Sequence, residues 1–290
     1  MTRMTANVKY KIDKLAILLA TYNGIQFLPD LIDSLQKQSY TDWLLYVQDD
    51  LSNDGTIEFL REKSLSDVRI VLVPNNKKLG AKLNFLTLLN VVEAPYYMFC
   101  DQDDIWLPHK VQVAFDRIKV MEQEHGANSP LLVHSDLTVV DENLNIIDES
   151  FMKMSRINPN LLKTFHELAG HNLVTGCTMM FNRSAAEVSS RCINNSILMH
   201  DVWILLCTLK FNGFVEYINK STILYRQHGS NTVGAHDIRS NYILKRLFAL
   251  KSVLTGNVKH YKMLNTLGYG SILRYSYYKI RYFVLNSIHL

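Results

Sequence analysis

The sequence predicts an α/β fold: a Rossmann-like mixed sheet flanked by helices, followed by a basic helical extension at the C-terminus. Apolar strand-like runs alternate with segments of helical periodicity over roughly the first hundred residues. Of the 290 residues, 48% are hydrophobic and 20% are charged, which is enough apolar material for a sizeable core. Residues 238–290 contain nine Lys and Arg but no Asp or Glu. We therefore predict one main domain over residues 1–237 and an amphipathic tail over 238–290.

The first half of the main domain, about residues 14–105, is predicted to be mostly parallel sheet. Strands are expected over 15–20, 43–47, 69–73 and 96–100, with helices beginning near residues 27, 56 and 79. Polar side chains follow three of these strands, at 21–24, 49–50 and 101–104. Because the carboxyl ends of parallel strands meet at one sheet edge, these side chains should converge on one crevice.

The second half, about residues 130–237, has a different rhythm. Strands are predicted over 132–136, 178–181 and 213–218, the last continuing toward 222–225. Helices are predicted from residue 184 and over 201–209. These elements predict a mixed sheet here.

Three acids within four residues, Asp101, Asp103 and Asp104, follow the apolar strand at 96–100. Crowded carboxylates repel one another unless a cation lies among them. Mg²⁺ and Mn²⁺ prefer such oxygen ligands and keep positions open for phosphate. A solvated acidic loop is the simpler alternative.

Cysteine usage and the absence of apolar segments indicate the compartment. The four cysteines form no CxxC pair, and Cys100 and Cys207 lie in apolar runs, as buried thiols of a reducing compartment do. Residues 1–14 lack the apolar region of a signal peptide, and no stretch of 18 apolar residues is present. We therefore expect a cytoplasmic protein. Nucleic-acid binding is disfavoured because the excess positive charge is confined to the tail and no recognition motif is present.

Six segments resemble, in order, the motifs of family 2 glycosyltransferases of the GT-A fold, closest to the rhamnosyltransferase-like branch. They are residues 20–24, 48–56, 101–106, 176–178, 200–203 and 225–231, and the resemblance covers roughly residues 14–235. Two positions depart from the family pattern. Leu51-Ser52-Asn53 replaces the frequent Gly-Ser-Thr, and His200 replaces the usual acid before Asp201. The second departure leaves Asp201 as the single carboxylate of its motif.

The resemblance implies an inverting, metal-dependent sugar transfer from a nucleotide donor, with Mn²⁺ or Mg²⁺ as the metal. It makes Asp103 the direct metal ligand and His228 a candidate third ligand of metal or diphosphate. Asp101 is expected to contact the ribose, or the metal through water. Asp104 is expected either to hold the donor sugar or to cap the following helix.

On the nucleotide side, the resemblance implies that Asp50 accepts a hydrogen bond from the N–H of uracil or thymine, with Asp49 as the second candidate. The ring of Tyr22 is expected to stack on the base. The remaining nucleotide contacts are expected from Thr21, Asn23 and Lys82. For Lys82, a diphosphate contact and a solvated position are both open.

On the acceptor side, Asp201 is the implied general base, which takes the proton of the attacking hydroxyl. Its position before an apolar helical run also suits a helix N-cap. Gly176 belongs to the implied acceptor loop. Trp203 is expected either to lie in the core or to brace the sugar site.

The implied donor is dTDP-L-rhamnose, with UDP-glucose, UDP-galactose and a UDP-N-acetylhexosamine as alternatives. The implied acceptor is a hydroxyl of a growing bacterial surface glycan or of a lipid-linked sugar. Two other classes of function are open to the sequence. The first is a Mg²⁺-dependent phosphohydrolase or nucleotidyltransferase, which would need a nucleophile or a Gly-rich phosphate loop, and neither is evident. The second is a non-catalytic module that binds nucleotide sugars or glycans.

The tail alternates apolar, aromatic and basic residues, which predicts amphipathic helices with cationic edges. Such helices suit an anionic membrane surface, and we expect peripheral contact with the inner face of the plasma membrane. The alternative is that they pack on the main domain or on a partner subunit.

Overall fold

The computed structural model describes residues 9–161, 163–169, 172, 174–229 and 250–288. The strands are β1 (Tyr10–Lys11), β2 (Leu15–Thr21), β3 (Trp43–Asp49), β4 (Ile70–Leu72), β5 (Val92–Glu93), β6 (Tyr96–Cys100), β7 (Ile105–Trp106), β8 (Leu131–Val140), β9 (Ile146–Asp148), β10 (Met179–Asn182) and β11 (Phe214–Arg226). The helices are α1 (Leu28–Gln36), α2 (Thr56–Ser66), α3 (Ala81–Val91), α4 (Lys110–His125), α5 (Phe151–Met154), α6 (Arg183–Arg191), α7 (His200–Lys210), α8 (Leu250–Thr266) and α9 (Ile272–Ile288). Short 3₁₀ turns lie at Pro159–Leu161, Glu167–Ala169 and Gly176–Thr178.

The main sheet has the strand order β4-β3-β2-β6-β10-β8-β11-β7, and β9 pairs with β8. Strands β4, β3, β2 and β6 are mutually parallel, as predicted for the first half. Strand β10 runs antiparallel to both β6 and β8, whereas β8 and β11 are parallel. The mixed sheet predicted for the second half is confirmed, and β10 joins the two halves.

Both faces of the sheet are covered by helices. Alternate residues of β2 point to opposite faces, as the pleat requires, so Leu15, Ile17 and Leu19 pack with α1 and α4 while Ala16 and Leu18 pack with α3. Every residue of β8 is buried. The continuous apolar runs read in the sequence are therefore strands buried on both sides.

The described part of the tail forms two helices, and one side of this pair packs on the main domain. Met263 and Leu264 of α8 are fully buried, and so, nearly, are Tyr275 and Tyr282 of α9. The phenol of Tyr269, between the helices, donates to the carbonyl of His166 at 2.7 Å. Residues 238–249 and 289–290 of the predicted tail, and residues 230–231 of the closing motif, lie outside the described residues. In the part that is described, we find no helix that combines the length and apolarity needed to cross a membrane.

Candidate active site

The polar residues after β2 and β3 lie together, as the parallel sheet predicts. The Asp49 carboxylate accepts hydrogen bonds from the Thr21 hydroxyl at 2.9 Å and from the Ser52 hydroxyl at 2.6 Å. The Ser52 hydroxyl in turn accepts from the backbone N–H of Asn23 at 2.8 Å. Asp49 therefore fixes the loop after β2 against the turn after β3.

Asp50, one residue further, is buried and directed at the start of α3. Its two oxygens accept from the backbone N–H groups of Leu79 at 2.6 Å and Gly80 at 2.9 Å. Burial raises the pKa of Asp50, but these N–H groups and the Asn84 amide outweigh it and hold the pKa below its usual range. Asp50 is thus an ionised group that positions α3, with lone pairs still available to a ligand N–H.

A cavity of about 460 Å³ opens beside Asp49, between the ends of β3 and β4 and the helix α2. Asp49, Ser52, Arg61 and Asn75 line it together with apolar side chains, whereas Asp50 does not line it. Tyr22, half exposed, carries the ammonium of Lys78 3.7 Å from its ring centre. An aromatic ring and a lined cavity are features that suit a planar base.

Lys82 lies at the start of α3, but its ammonium donates to the backbone carbonyl of Ile197 at 2.8 Å. It therefore ties α3 to the segment that leads into α7.

The three acids after β6 face different surroundings. Asp104 is fully buried, and its Oδ1 accepts from the backbone N–H of Arg226 at 3.3 Å, while its Oδ2 has no hydrogen-bond partner of good geometry among the residues that the structure describes. Helix α4 begins at Lys110 with His109 as its cap, so the predicted capping role of Asp104 is wrong. A short strand, β7, separates Asp104 from that helix.

Asp103, by contrast, meets the closing segment of the main domain. Its Oδ2 lies 2.9 Å from Nε2 of His228, a residue 125 positions away in sequence. The two side chains that the resemblance assigned to the metal are therefore neighbours.

A second grouping of metal-type ligands lies next to the first. One ligand atom from each of Asp101, Asp104 and Cys177 lies within 4.8 Å of the others. Burial raises the pKa of Asp101 to about 7, and the charges of Asp103 and Asp201 add to the effect. Burial likewise raises the pKa of Asp104 well above its usual range.

These acids fit a hard divalent cation. Crowded carboxylates are stabilised when a cation lies among them, and here one of the three, Asp104, is fully buried while the other two are partly exposed. Asp101, Asp103, Asp104 and His228 are the groups that would hold it. The Cys177 thiol lies in the segment 176–178 that resembles the acceptor loop, but it was not predicted to meet the acids, because that resemblance assigns no role to its side chain.

Asp201 lies in the first turn of α7, where Met199 and not Asp201 is the N-cap. Burial raises the pKa of Asp201 to about 6, although the backbone N–H groups of Val202 and Gly176 oppose the effect. A Cβ at Gly176 would lie 3.4 Å from the Cβ of Asp201 and 3.0 Å from Nε2 of His200. Gly176 thus leaves the space in which Asp201 sits.

Trp203 does not contact the site. Its side chain is fully buried, and its indole N–H donates to the carbonyl of Ser189 at 3.1 Å. The suggestion that it braces a sugar is therefore wrong, since a ring enclosed between α6 and α7 has no surface to offer a ligand.

Two further side chains, Gln102 and Arg226, connect the loops of the site, and no site role was predicted for Gln102 from the sequence. The amide of Gln102 exchanges hydrogen bonds with the backbone of Tyr22, at 2.8 and 3.1 Å, and so joins the first loop to the metal motif. From the sequence, Arg226 of the closing motif is expected either to bind phosphate or to pair with surface acids. Its side chain is buried, and it donates to the Asp103 carbonyl and to the exposed Asp30 carboxylate, so the structure supports pairing with a surface acid.

Comparison with known proteins places the chain. Residues 16–188 match the sequence profile described as "Glycosyl transferase family 2". The dTDP-rhamnosyl transferase RfbG of Shigella flexneri is 31% identical over 230 residues, covering 75% of this chain and 74% of that protein. An uncharacterized glycosyltransferase of Methanocaldococcus jannaschii, MJ1057, is 25% identical over 254 residues, covering 86% of this chain and 84% of that protein.

A solved structure shows the same fold. The crystal structure of S. aureus TarS 1-349 in complex with UDP-GlcNAc matches with a TM-score of 0.55 at 15% identity and covers 82% of this chain. The match spans 66% of that chain, so the likeness is to the fold over about two thirds of its length. The family profile, the relatives and the GT-A-type sheet agree with the six motifs: the chain belongs to glycosyltransferase family 2.

Proposed function

We propose that this protein is an inverting, divalent-metal-dependent transferase that moves a sugar from a nucleotide donor to a hydroxyl of a glycan or lipid-linked acceptor. The observation that carries this is the placement of Asp201. It is a carboxylate whose pKa burial raises to about 6, and it lies close enough to the metal-type acids for its charge to raise the pKa of Asp101. A base and a diphosphate-binding cluster on one crevice are what such a transfer needs.

In the proposed reaction, the acceptor oxygen attacks C1 of the donor sugar from the face opposite the diphosphate. Asp201 takes the proton of that hydroxyl. The bond between C1 and the diphosphate oxygen breaks, and the nucleoside diphosphate leaves with the bonding electrons. A pKa near 6 leaves Asp201 ionised at neutral pH yet more basic than an ordinary aspartate.

The metal, Mn²⁺ or Mg²⁺, would neutralise charge on the leaving diphosphate. Asp103 and His228 would hold it, together with Asp101 and Asp104. The nucleotide would lie over the loop of Thr21, Tyr22 and Asn23, with its base toward Asp49 and Asp50. Lys82 would reach the diphosphate only by leaving the Ile197 carbonyl, and Gly176 would leave room for the acceptor beside Asp201. Asp104, which is fully buried, would reach a donor sugar only by local movement.

For the donor we propose dTDP-L-rhamnose, because the relative at 31% identity is a dTDP-rhamnosyl transferase. UDP-glucose, UDP-galactose and UDP-N-acetylhexosamines are the competing donors. Assembly of a bacterial surface polysaccharide is the corresponding pathway class.

The test is the thermal stability of the full chain with each nucleotide sugar, in Mn²⁺, in Mg²⁺ and in chelator. A ligand that binds only the folded state raises the melting temperature by mass action. We expect metal-dependent stabilisation that is largest with dTDP-L-rhamnose. Larger stabilisation by a UDP-sugar would show that this sugar, and not dTDP-L-rhamnose, is the donor. No response to any nucleotide in the presence of metal would contradict the proposal.

A further inference from the structure

Helix α9 carries an apolar stripe on its outer side. Leu273, Tyr277, Ile280 and Val284 follow one another at spacings of four, three and four residues, and their side chains are 78%, 60%, 64% and 54% exposed. At about 100° per residue these four positions fall within roughly 60° of arc. An exposed stripe of this kind on a helix indicates an interaction surface.

The opposite side of α9 is fixed to the main domain. Tyr275 and Tyr282, about half a turn away from the stripe, are buried. Arg281 donates to the Glu167 carboxylate at 2.7 Å, and the Asn286 side chain bonds the backbone at residues 156 and 158. The stripe is therefore presented on a docked helix, so a surface that binds it would hold the whole protein.

The charge of the tail, which carries the stripe, indicates an anionic partner. Residues 238–290 carry nine basic and no acidic side chains, whereas residues 1–237 carry 22 basic and 27 acidic ones, a net charge of −5. On the neighbouring helix α8, Lys259 and Lys262 are exposed. An anionic surface would attract the tail and repel the body, which would orient the molecule with α9 toward that surface.

We infer that the stripe of Leu273, Tyr277, Ile280 and Val284, with the cations of the tail, docks on the surface of an anionic phospholipid bilayer. Apolar side chains of an in-plane helix bury shallowly at the boundary of headgroups and acyl chains, and tyrosine suits that boundary because its ring is apolar and its hydroxyl polar. The use of this docking rests on the proposed function: it would bring the crevice at Asp201 to an acceptor carried on a membrane lipid.

The test is co-sedimentation of the full chain with vesicles, either phosphatidylcholine alone or phosphatidylcholine with phosphatidylglycerol. We expect binding that requires phosphatidylglycerol and weakens as salt is raised, because the attraction between tail and lipid is screened. The variant L273E/I280E should lose at least tenfold in vesicle affinity. The matched control is L65E/V68E, two side chains 88% and 89% exposed at the end of α2, which should bind as the unchanged protein does.

Any of three results would overturn the inference: no vesicle binding, binding that does not depend on phosphatidylglycerol, or equal binding by L273E/I280E and the unchanged protein. A dimer that L273E/I280E dissociates would instead assign the stripe to a second copy of the chain. Circular dichroism and the melting temperature check that the variants fold, and L273S/I280S provides a milder pair.

Vesicle binding is measured without substrate, so the two proposals fail separately. A protein that binds anionic vesicles but responds to no nucleotide sugar refutes only the proposed function. One that responds to a nucleotide sugar but not to vesicles refutes only the docking surface.

Discussion

Replacing Asp201 by Asn should abolish transfer and, at the same time, make the protein more stable at pH 8. The carboxylate is ionised there although its surroundings favour the neutral form, since burial raises its pKa from 3.8 to about 6. Loss of a general base typically costs about 10²–10⁴-fold in rate. An uncharged side chain of the same shape removes both the base and the cost of the buried charge.

The magnitude follows from the pKa. The difference between 3.8 and about 6, at roughly 1.4 kcal/mol per unit, corresponds to about 3 kcal/mol of destabilisation when Asp201 is ionised. An Asn offers only one acceptor oxygen to the N–H groups of Val202 and Gly176, so D201N loses one hydrogen bond. That loss lowers the stability of the variant by about 1 kcal/mol and offsets part of the gain. We therefore expect a net gain of about 1–2 kcal/mol.

The destabilisation by ionised Asp201 depends on pH. The folded state binds the Asp201 proton more tightly than the unfolded state does, so the destabilisation is complete above pH 6 and disappears as pH falls toward 4. The stability gap between D201N and the unchanged protein should therefore close on acidification, and the transfer rate of the unchanged protein should fall as pH drops through about 6.

The assay is urea unfolding without metal at pH 8 and at pH 4.5, with D13N as the control because Asp13 is an exposed aspartate. Transfer is measured in parallel. Equal stability of D201N and the unchanged protein at pH 8 would refute the buried-charge argument. Retained transfer would refute the base assignment whatever the stability.

Other parts of the site give three further predictions. G176A places a methyl 3.0 Å from Nε2 of His200 and 3.4 Å from the Cβ of Asp201, so the start of α7 must shift and transfer should fall about tenfold or more. G256A, whose methyl meets nothing within 4 Å in the described part of the chain, should leave the transfer rate unchanged. H228A removes the ring nitrogen 2.9 Å from a metal-motif carboxylate, so more Mn²⁺ should be needed for half-maximal stabilisation by a nucleotide sugar; an unaltered metal titration would exclude His228 as a ligand. D50N gives up one of the two bonds that hold the start of α3 and should lower stability by about 1–3 kcal/mol in urea unfolding while weakening dTDP binding in a titration; unchanged values for both would show that those bonds contribute little.

The strands and the edge at which their polar ends meet could be predicted because both depend on local pattern. The runs at 15–20, 43–47 and 96–100 are strands buried on two faces, and such strands are continuous in apolar character. The parallel order then brings Thr21 to Asp49 without any further information.

Contacts between distant residues could not be predicted in this way. Asp104 looked like a helix cap because a helix follows it, but the chain first forms β7 against β11, which lies more than a hundred residues later. Trp203 stands two residues after the candidate base in sequence, and at about 100° per residue the two side chains point roughly 200° apart on the helix. Trp203 therefore faces the core, while Asp201 lies beside Gly176. Cys177 meets Asp101 and Asp104 only because a 3₁₀ turn lies beside β6.

The contacts of Arg226 and His228 explain how the three acids at residues 101–104 are held in place. Three acids in four residues would not by themselves stay together, since each repels the others. Arg226 supplies a buried guanidinium that binds the carbonyl of Asp103 at 3.1 Å and the carboxylate of Asp30 at 3.0 Å, while its backbone N–H reaches Asp104. Two residues later, His228 meets the Asp103 carboxylate. Arg226 ends β11 and His228 follows two residues later, and β11 pairs with β8 and β7, so these contacts to the acids depend on the second half of the sheet. The arrangement of the acid cluster is thus a consequence of the completed fold, which is why the motif at residues 101–104 is by itself a weak predictor of chemistry and the ordered set of six motifs a strong one.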